Sequence, residues 1–267
     1  QEKQEDGRVR GSLEAGWDVP DFRVLLEPLE GADGISARNE DRGFKMKKTI
    51  AVLEGDGIGP EIVAESIKAL RRVEPKFGHE FELVYAPFGA GAYFTDGSPF
   101  PEKTVEICDR ADAIIKGPVG LAVDKMARIP QDMRPEIGAI LPLRRRYDTF
   151  ANYRPVRLPK SLASFSPLKE GVLGDGLDIL MIRELVVGIY FGKNTEGPQT
   201  GMQYAEDECR YTDAQIRRVA VVAFEEARKR GEPLTNIHKA NVLATSRFWC
   251  EVAEDVGKSY PDVEYRS

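Results

Sequence analysis

TIAVLEGDGIGPEI, residues 49–62, sets an apolar, partly β-branched run directly against a glycine-rich loop and a proline. Residues 49–53 have the composition of a strand buried on both faces, since strands covered by helices on either side lose polar alternation. Pro60 stands in the first turn of a helix, where its missing N–H has no intrahelical partner to lose. Ile62, Val63, Ile67 and Leu70 then fall on one helical face over residues 61–73. A strand, a glycine turn and a helix in succession open an α/β protein. Gly55-x-Gly57 after a strand invites a dinucleotide-fold reading, but that fingerprint needs glycine or alanine where Pro60 stands. The loop is therefore not a GxGxxG Rossmann turn. Its plain alternative is a tight turn whose glycines take positive φ.

Working outward, residues 81–85 and 113–117 are predicted strands, with a helix ending over 105–111. This alternation predicts a mostly parallel sheet. Residues 150–156, 177–182 and the short Ile189-Tyr190-Phe191 also read as strands, and a polar, glycine-containing arm follows over 193–203. Thr212 caps a helix running to Arg230 and ending at Gly231. A strand over 234–237 and a helix over 245–260 complete the pattern. Residues 261–265 open a further strand, so the last domain reads as incomplete. Residues 1–45 show no sustained period and read as a poorly ordered extension, with Met46 a candidate start of the folded unit. The expected division is this extension, the first part of one domain over 46–149, and a second domain over 150–267.

The chain has 267 residues, 38 Lys+Arg against 44 Asp+Glu and a net charge of −6. A mildly acidic chain whose positive charge is scattered, apart from Arg144-Arg145-Arg146, does not suit general nucleic-acid binding. There is no run of 18 apolar residues and no visible secretory signal, so no membrane span is expected and a cytoplasmic location is the default. Cys108, Cys209 and Cys250 are too few and too scattered for a disulfide framework. With only His79 and His238 available, any metal is expected to be a hard, oxygen-ligated ion.

Arg144, Arg154 and Arg183 each lie at the edge of a predicted element. A guanidinium on a rigid element is the natural partner of a carboxylate, and three suit a di- or tri-acid. The competing reading of each is a surface salt bridge. Tyr190, between Gly188 and Gly192, and Lys239, at a strand end where desolvation lowers an amine's pKa, are candidates for proton transfer. The competing reading of Tyr190 is packing within a strand, and His238 reads as a strand-end residue with a structural hydrogen bond.

Four stretches, LEGDGIGPEI (53–62), LPLRRRYDTFANYRPVRL (141–158), ILMIRELVVGIYFG (179–192) and HKANVL (238–243), together resemble the β-decarboxylating dehydrogenases of the isocitrate/isopropylmalate family. The resemblance implies a two-domain α/β fold of that family's type, with residues 46–149 beginning the cofactor-binding domain and 150–267 forming the substrate and dimerisation domain. It implies NAD and Mg2+ or Mn2+ as cofactors, and oxidation of a 2-hydroxy di-acid followed by loss of CO2. Arg144, Arg154 and Arg183 become the clamp on the malate part, and Tyr190 the general acid. Lys239 becomes a proton relay acting across a homodimer. Asn241, Ile58 and Glu136 are implied to face the cofactor. The metal-binding aspartates are expected beyond Ser267, leaving no metal ligand within the chain.

Substrate choice within the family follows from the helix before Arg144. Isocitrate enzymes place Ser and Asn there to bind a γ-carboxylate, and the corresponding positions here are Gly138 and Ile140, followed by Leu141. A carboxylate facing Ile140 and Leu141 loses water without gaining a partner, and Glu136 repels it, so an isopropyl group is favoured and the isopropylmalate branch of leucine biosynthesis is expected. The alternatives are another oxidative decarboxylase, for tartrate/malate, homoisocitrate or isocitrate, and a truncated, non-catalytic subunit.

Overall fold

β1 (Lys47–Leu53) is the central strand of a three-stranded parallel sheet, between β2 (Glu80–Tyr85) and β3 (Ala113–Lys116). The computed structural model describes residues 46–199 and 202–267, which lie within one compact unit, Lys45–Ser267. The extension expected over residues 1–45 lies outside the described residues. Both faces of β1 are covered, as its composition requires. Ile50 and Val52 pack with Val63, Ile67 and Leu70 of α1 (Gly59–Phe77). Ala51 and Leu53 point the other way, into a cluster with Phe88, Cys108, Ala139, Ile140 and Leu143. Pro60 sits in the first turn of α1, and Gly78 at φ +68° ends that helix.

Next come α2 (Ala90–Asp96), α3 (Glu102–Arg110), β3 and the single turn α4 (Val123–Met126). A π-helical turn, Glu136–Ile140, feeds directly into α5 (Leu141–Arg146). Asp109 of α3 accepts hydrogen bonds from Arg146 and from the Tyr147 hydroxyl, which fixes α5 against α3. Those bonds lower the Asp109 carboxyl to about 2. A depressed carboxylate stabilises the fold above its unfolded pKa of about 4, and that contribution is lost as pH falls towards the folded value. Urea melts should therefore separate Asp109→Asn from the parent chain at about pH 5, with the gap closing at about pH 2.5. An equal gap at both pH values would count against this pairing.

The second half departs from the parallel pattern. β4 (Ala151–Pro159) and β5 (Gly176–Glu184) pair antiparallel along their whole length, and β6 (Asn194–Gln199) and β7 (Met202–Asp207) form an antiparallel hairpin. The expectation of a mostly parallel sheet thus holds for β1–β3 and for the short β8–β9 pair, but not for β4–β7. The link between β4 and β5 contains only a short 3-10 helix and α6 (Glu170–Leu173), and a parallel return needs a crossover element that spans the sheet. Ile189-Tyr190-Phe191 is not a strand either. Glu184 Oε2 accepts from Val186 N and Val187 N, Gly188 takes φ +80°, and the N–H groups of Phe191 and Gly192 return to the Gly188 carbonyl. Local turn chemistry overrides the apolar run. Of the arm predicted over 193–203, residues 194–199 and 202–203 lie in the paired strands β6 and β7.

α7 (Asp213–Arg230) begins with a capping box between Thr212 and Gln215 and ends at Gly231, φ +65°. Such reciprocal capping satisfies two otherwise orphaned N–H groups. Its buried face carries Ile216, Val219, Ala220, Phe224 and Ala227. α8 (Ala244–Gly257) packs on α7, and β8 (Leu234–Thr235) pairs in parallel with β9 (Tyr265–Arg266). No described helix is long and apolar enough to cross a membrane.

Candidate active site

Three elements and one turn bring the site together. Arg144 lies on α5, Arg154 on β4 and Arg183 on β5, while Tyr190 ends the turn that leaves β5. Arg154 pairs with Met181 and Asn152 with Arg183. Directly opposed residues share a face and strand residues alternate with period two, so Arg154 and Arg183 project from the same face as diagonal neighbours. The other face turns towards α7, where Arg230 donates to Asp178 and Glu226 lies close enough to Tyr153 to raise its phenol after burial does.

The Arg183 guanidinium lies over the Tyr190 ring, 5.4 Å from its centre. Arg144 is held below the usual arginine value, first by partial burial and then by the charge of Arg183, with Arg154 adding a smaller push and Tyr190 opposing it. Among the described residues, none of the three donates to a carboxylate, whereas Arg146, Arg217, Arg218 and Arg228 all do. The surface salt-bridge reading finds no partner for Arg144, Arg154 or Arg183 among the described residues. Tyr190 is 59% exposed and faces open space rather than packing within a strand. Arg145 sits over Phe191 at 5.1 Å, a second tie between α5 and this turn.

The glycines flanking Tyr190 serve the protein rather than a ligand. A Cβ at Gly188 would strike the Tyr211 hydroxyl, and one at Gly192 the Glu208 carbonyl. Gly55 and Gly57 take φ +75° and +58°, as the turn reading expects. Between them lies Asp56, a buried residue that the sequence reading missed. Its carboxylate accepts from the N–H groups of Ala90 (2.7 Å), Gly91 (2.8 Å) and Gly120 (2.9 Å), and its own N–H donates to the Pro118 carbonyl (2.9 Å). One carboxylate thus knits the glycine loop to the start of α2 and to the loop after β3. An aspartate between two glycines is its only sequence signal. Lys116 was missed too. It donates to the Gly117 carbonyl (2.8 Å), and its amine is lowered by desolvation and then by the Arg144 charge.

The remaining expected residues divide. Ile58 is 59% exposed, and Glu136 Oε1 lies 3.6 Å from where a Gly120 Cβ would be. Leu141 is half-buried. Ile140 is only 8% exposed and belongs to the core cluster with Leu53 and Phe88, so it packs inside rather than lining the open side of the site. Lys239 and Asn241 lie on an exposed loop between β8 and α8. That loop is held by Lys239 N donating to Ser246 Oγ and by Arg247 donating to the carbonyls of Ala240 and Val242. Among the described contacts, nothing joins the Lys239 amine to the three arginines. His238 plays the structural part expected, accepting from Ala240 N at Nδ1 and meeting Ser267 Oγ at Nε2. No group of three His, Cys, Asp or Glu among the described residues is arranged to hold a metal ion.

An antiparallel strand pair, a short helix and a turn thus bring three arginines and a tyrosine together in an α/β protein. Residues 49–267 match the family model for isocitrate/isopropylmalate dehydrogenase, and the chain belongs to that family. It is 50% identical over 222 residues to a 3-isopropylmalate dehydrogenase of Syntrophotalea carbinolica, covering 82% of this chain and 60% of that protein. It is 46% identical to a 3-isopropylmalate dehydrogenase of Desulfotalea psychrophila, covering 82% and 61%. The chain thus spans about 60% of the length of these curated relatives. Among solved structures, a β-decarboxylating dehydrogenase of Thermococcus kodakarensis superposes with a TM-score of 0.59 at 28% identity, covering 82% of this chain and 57% of that one. An isocitrate dehydrogenase of Methylococcus capsulatus shares the fold at a TM-score of 0.67, with 24% identity and coverage of 82% and 59%.

Proposed function

We propose that the chain is the larger part of an enzyme that oxidises and decarboxylates (2R,3S)-3-isopropylmalate to 4-methyl-2-oxopentanoate and CO2, a step of leucine biosynthesis in the cytoplasm. The observation that carries this reading is the cluster of Arg144, Arg154 and Arg183, with Arg144 repelled by the other two and no carboxylate partner among the described residues, around Tyr190. Two carboxylates of a malate would satisfy those forks, each through charge-assisted hydrogen bonds. Arg183, stacked on Tyr190, would place the carbon that loses CO2 near the phenol, and the Tyr190 hydroxyl would deliver a proton to that carbon. Lys239, standing apart from the cluster of its own chain, would take the substrate's hydroxyl proton in the site of a partner protomer. Division into a cofactor part over 46–149 and a substrate part over 150–267 belongs to this reading.

Ile58, which is exposed, and Glu136 are the residues of the first part that would face the nicotinamide of NAD, with Asn241 the expected further contact from the second part. Bound there, NAD would accept the hydride from the substrate's hydroxyl-bearing carbon. The described residues do not form a site for the divalent metal of the family, and no step here is routed through it.

Tyr190→Phe tests the mechanism. General-acid groups contribute about 10²–10⁴-fold, so kcat should fall by about 10² or more while KM changes by less than about threefold. Steady-state assays of the protein expressed from its whole coding sequence decide this, and a fully active variant would remove Tyr190 from the chemistry. One observation favours a second substrate. Lys116 adds a fourth cation beside Arg144, and Ile140 is withdrawn into the core, which suits a third carboxylate better than the sequence alone implies. A panel of isopropylmalate, isocitrate, homoisocitrate and D-malate separates the two readings, and the first is overturned if isopropylmalate is not the fastest.

A further inference from the structure

We propose that Arg218, on α7 and outside the arginine cluster, is the positioning residue that holds the cluster's carrier segments in register and aims Tyr190. The proposal rests on the substrate-site reading above and names a part of the machinery that touches no substrate. Arg218 Nη1 donates to both oxygens of Asp148, at 3.0 and 2.8 Å, and Nη2 donates to Glu184 Oε1 at 3.3 Å. Its Cζ lies 4.5 Å from the centre of the Phe150 ring. Asp148 stands in the bend that joins α5, bearing Arg144, to β4, bearing Arg154. It is the one described non-glycine residue at positive φ, +42°, a conformation that persists only where surroundings hold it.

Glu184 follows Arg183, and its side chain is 3% exposed. One of its oxygens faces Arg218. The other accepts from Val186 N (3.0 Å) and Val187 N (2.9 Å), the first links of the turn that ends in Tyr190. A single planar fork therefore grips the carriers of all three arginines and the base of the tyrosine turn. Arg218 Nε is buried without a partner among the described residues, while both of its other nitrogens stay engaged. Burial pushes the Glu184 carboxyl upwards, and Arg218 and the two N–H groups oppose that push. With Arg218 gone, the carboxyl takes a proton more readily and holds the turn less well. Lysine cannot substitute, because one ammonium offers a point charge where two acceptors need a fork.

Hydrogen exchange on the chain tests this directly. Arg218→Lys should raise amide exchange over residues 186–191 at least tenfold while the amides of α7 stay protected. Unchanged exchange over 186–191 overturns the proposal, and so does a uniform rise that includes α7, which would mark general destabilisation. Should Arg218→Lys fail to fold, Asp148→Asn at an exposed carboxylate gives the second test. It should speed exchange of Leu185, whose N–H donates to the Phe150 carbonyl at 2.8 Å, and an unaltered Leu185 overturns the proposal. In the whole enzyme, Arg218→Lys should lower kcat at least tenfold, and this effect should vanish in a Tyr190→Phe background. An equal loss in both backgrounds refutes action through Tyr190. A parent enzyme that turns over no hydroxy-acid refutes the functional reading alone, since exchange decides Arg218 without turnover.

Discussion

Arg183→Ala is expected to lower kcat/KM for the di-acid by at least about 10³-fold, equivalent to about 4 kcal/mol of lost transition-state stabilisation. The size follows from two roles in one side chain. Arg183 supplies one of three converging forks, and charge-assisted bonds of that kind are the strong ones. It is also the platform on which the Tyr190 ring lies, so in the proposed mechanism its loss would reach the proton donor as well as the clamp. Arg183→Lys keeps the charge without the fork and should recover part of the loss. Stability should move the other way. Arg183 is exposed and has no carboxylate partner among the described residues, and it repels Arg144. Removing it relieves like-charge repulsion, so the melting temperature should stay level or rise slightly. Retention of activity within threefold in Arg183→Ala would remove the arginine from the site.

The largest effect on stability is expected from Phe224→Ala, about 3–5 kcal/mol by urea denaturation. Phe224 is fully buried in the middle of α7. It stacks on Tyr260 at 5.0 Å between centres, meets Tyr265 at 5.5 Å, and lies so close to Gly257 that a Cβ there would touch its ring. Truncation removes the transfer term of a large apolar side chain and leaves a cavity between α7 and α8 that neither helix can close without moving. Phe224→Leu should cost markedly less because it fills part of that space. A loss below about 1 kcal/mol for the alanine variant would show that the two helices are not joined through this ring.

Those elements whose physics is local were legible in the sequence. The double burial of β1 showed in its unbroken apolar run, and the capping of α7 showed in Thr212 and Gly231. The glycine turn was readable because Pro60 excluded the Rossmann alternative. Arg144, Arg154 and Arg183 could be chosen from their places at the edges of predicted elements, although only the structure shows their nearness to one another and the lack of a carboxylate partner among the described residues. What could not be read was settled between distant segments. The β4–β5 direction depends on what their connection can span. The turn at Tyr190 depends on a carboxylate capping the residues that follow it, and Arg218 looks like any polar position on an amphipathic helix until Asp148 and Glu184 are placed beside it. Ile140 was assigned to the site by alignment of motifs, while the π-helical turn that carries it puts it into the core.

The one-to-one pairing of β4 with β5 makes this region sensitive to length in a way that it is not sensitive to spelling. Residues such as Val156, Ile179 and Met181 are substantially exposed, so exchanging one for another alters little. Inserting or deleting one residue within 177–182 is a different event. Side chains alternate strictly along a strand, so a one-place slip would carry Arg183 to the opposite face, beside α7 and Glu226, and leave Arg154 without its diagonal neighbour. A library built by random indels across β5 should therefore return almost no functional members, whereas one built by point changes at the same positions should return many.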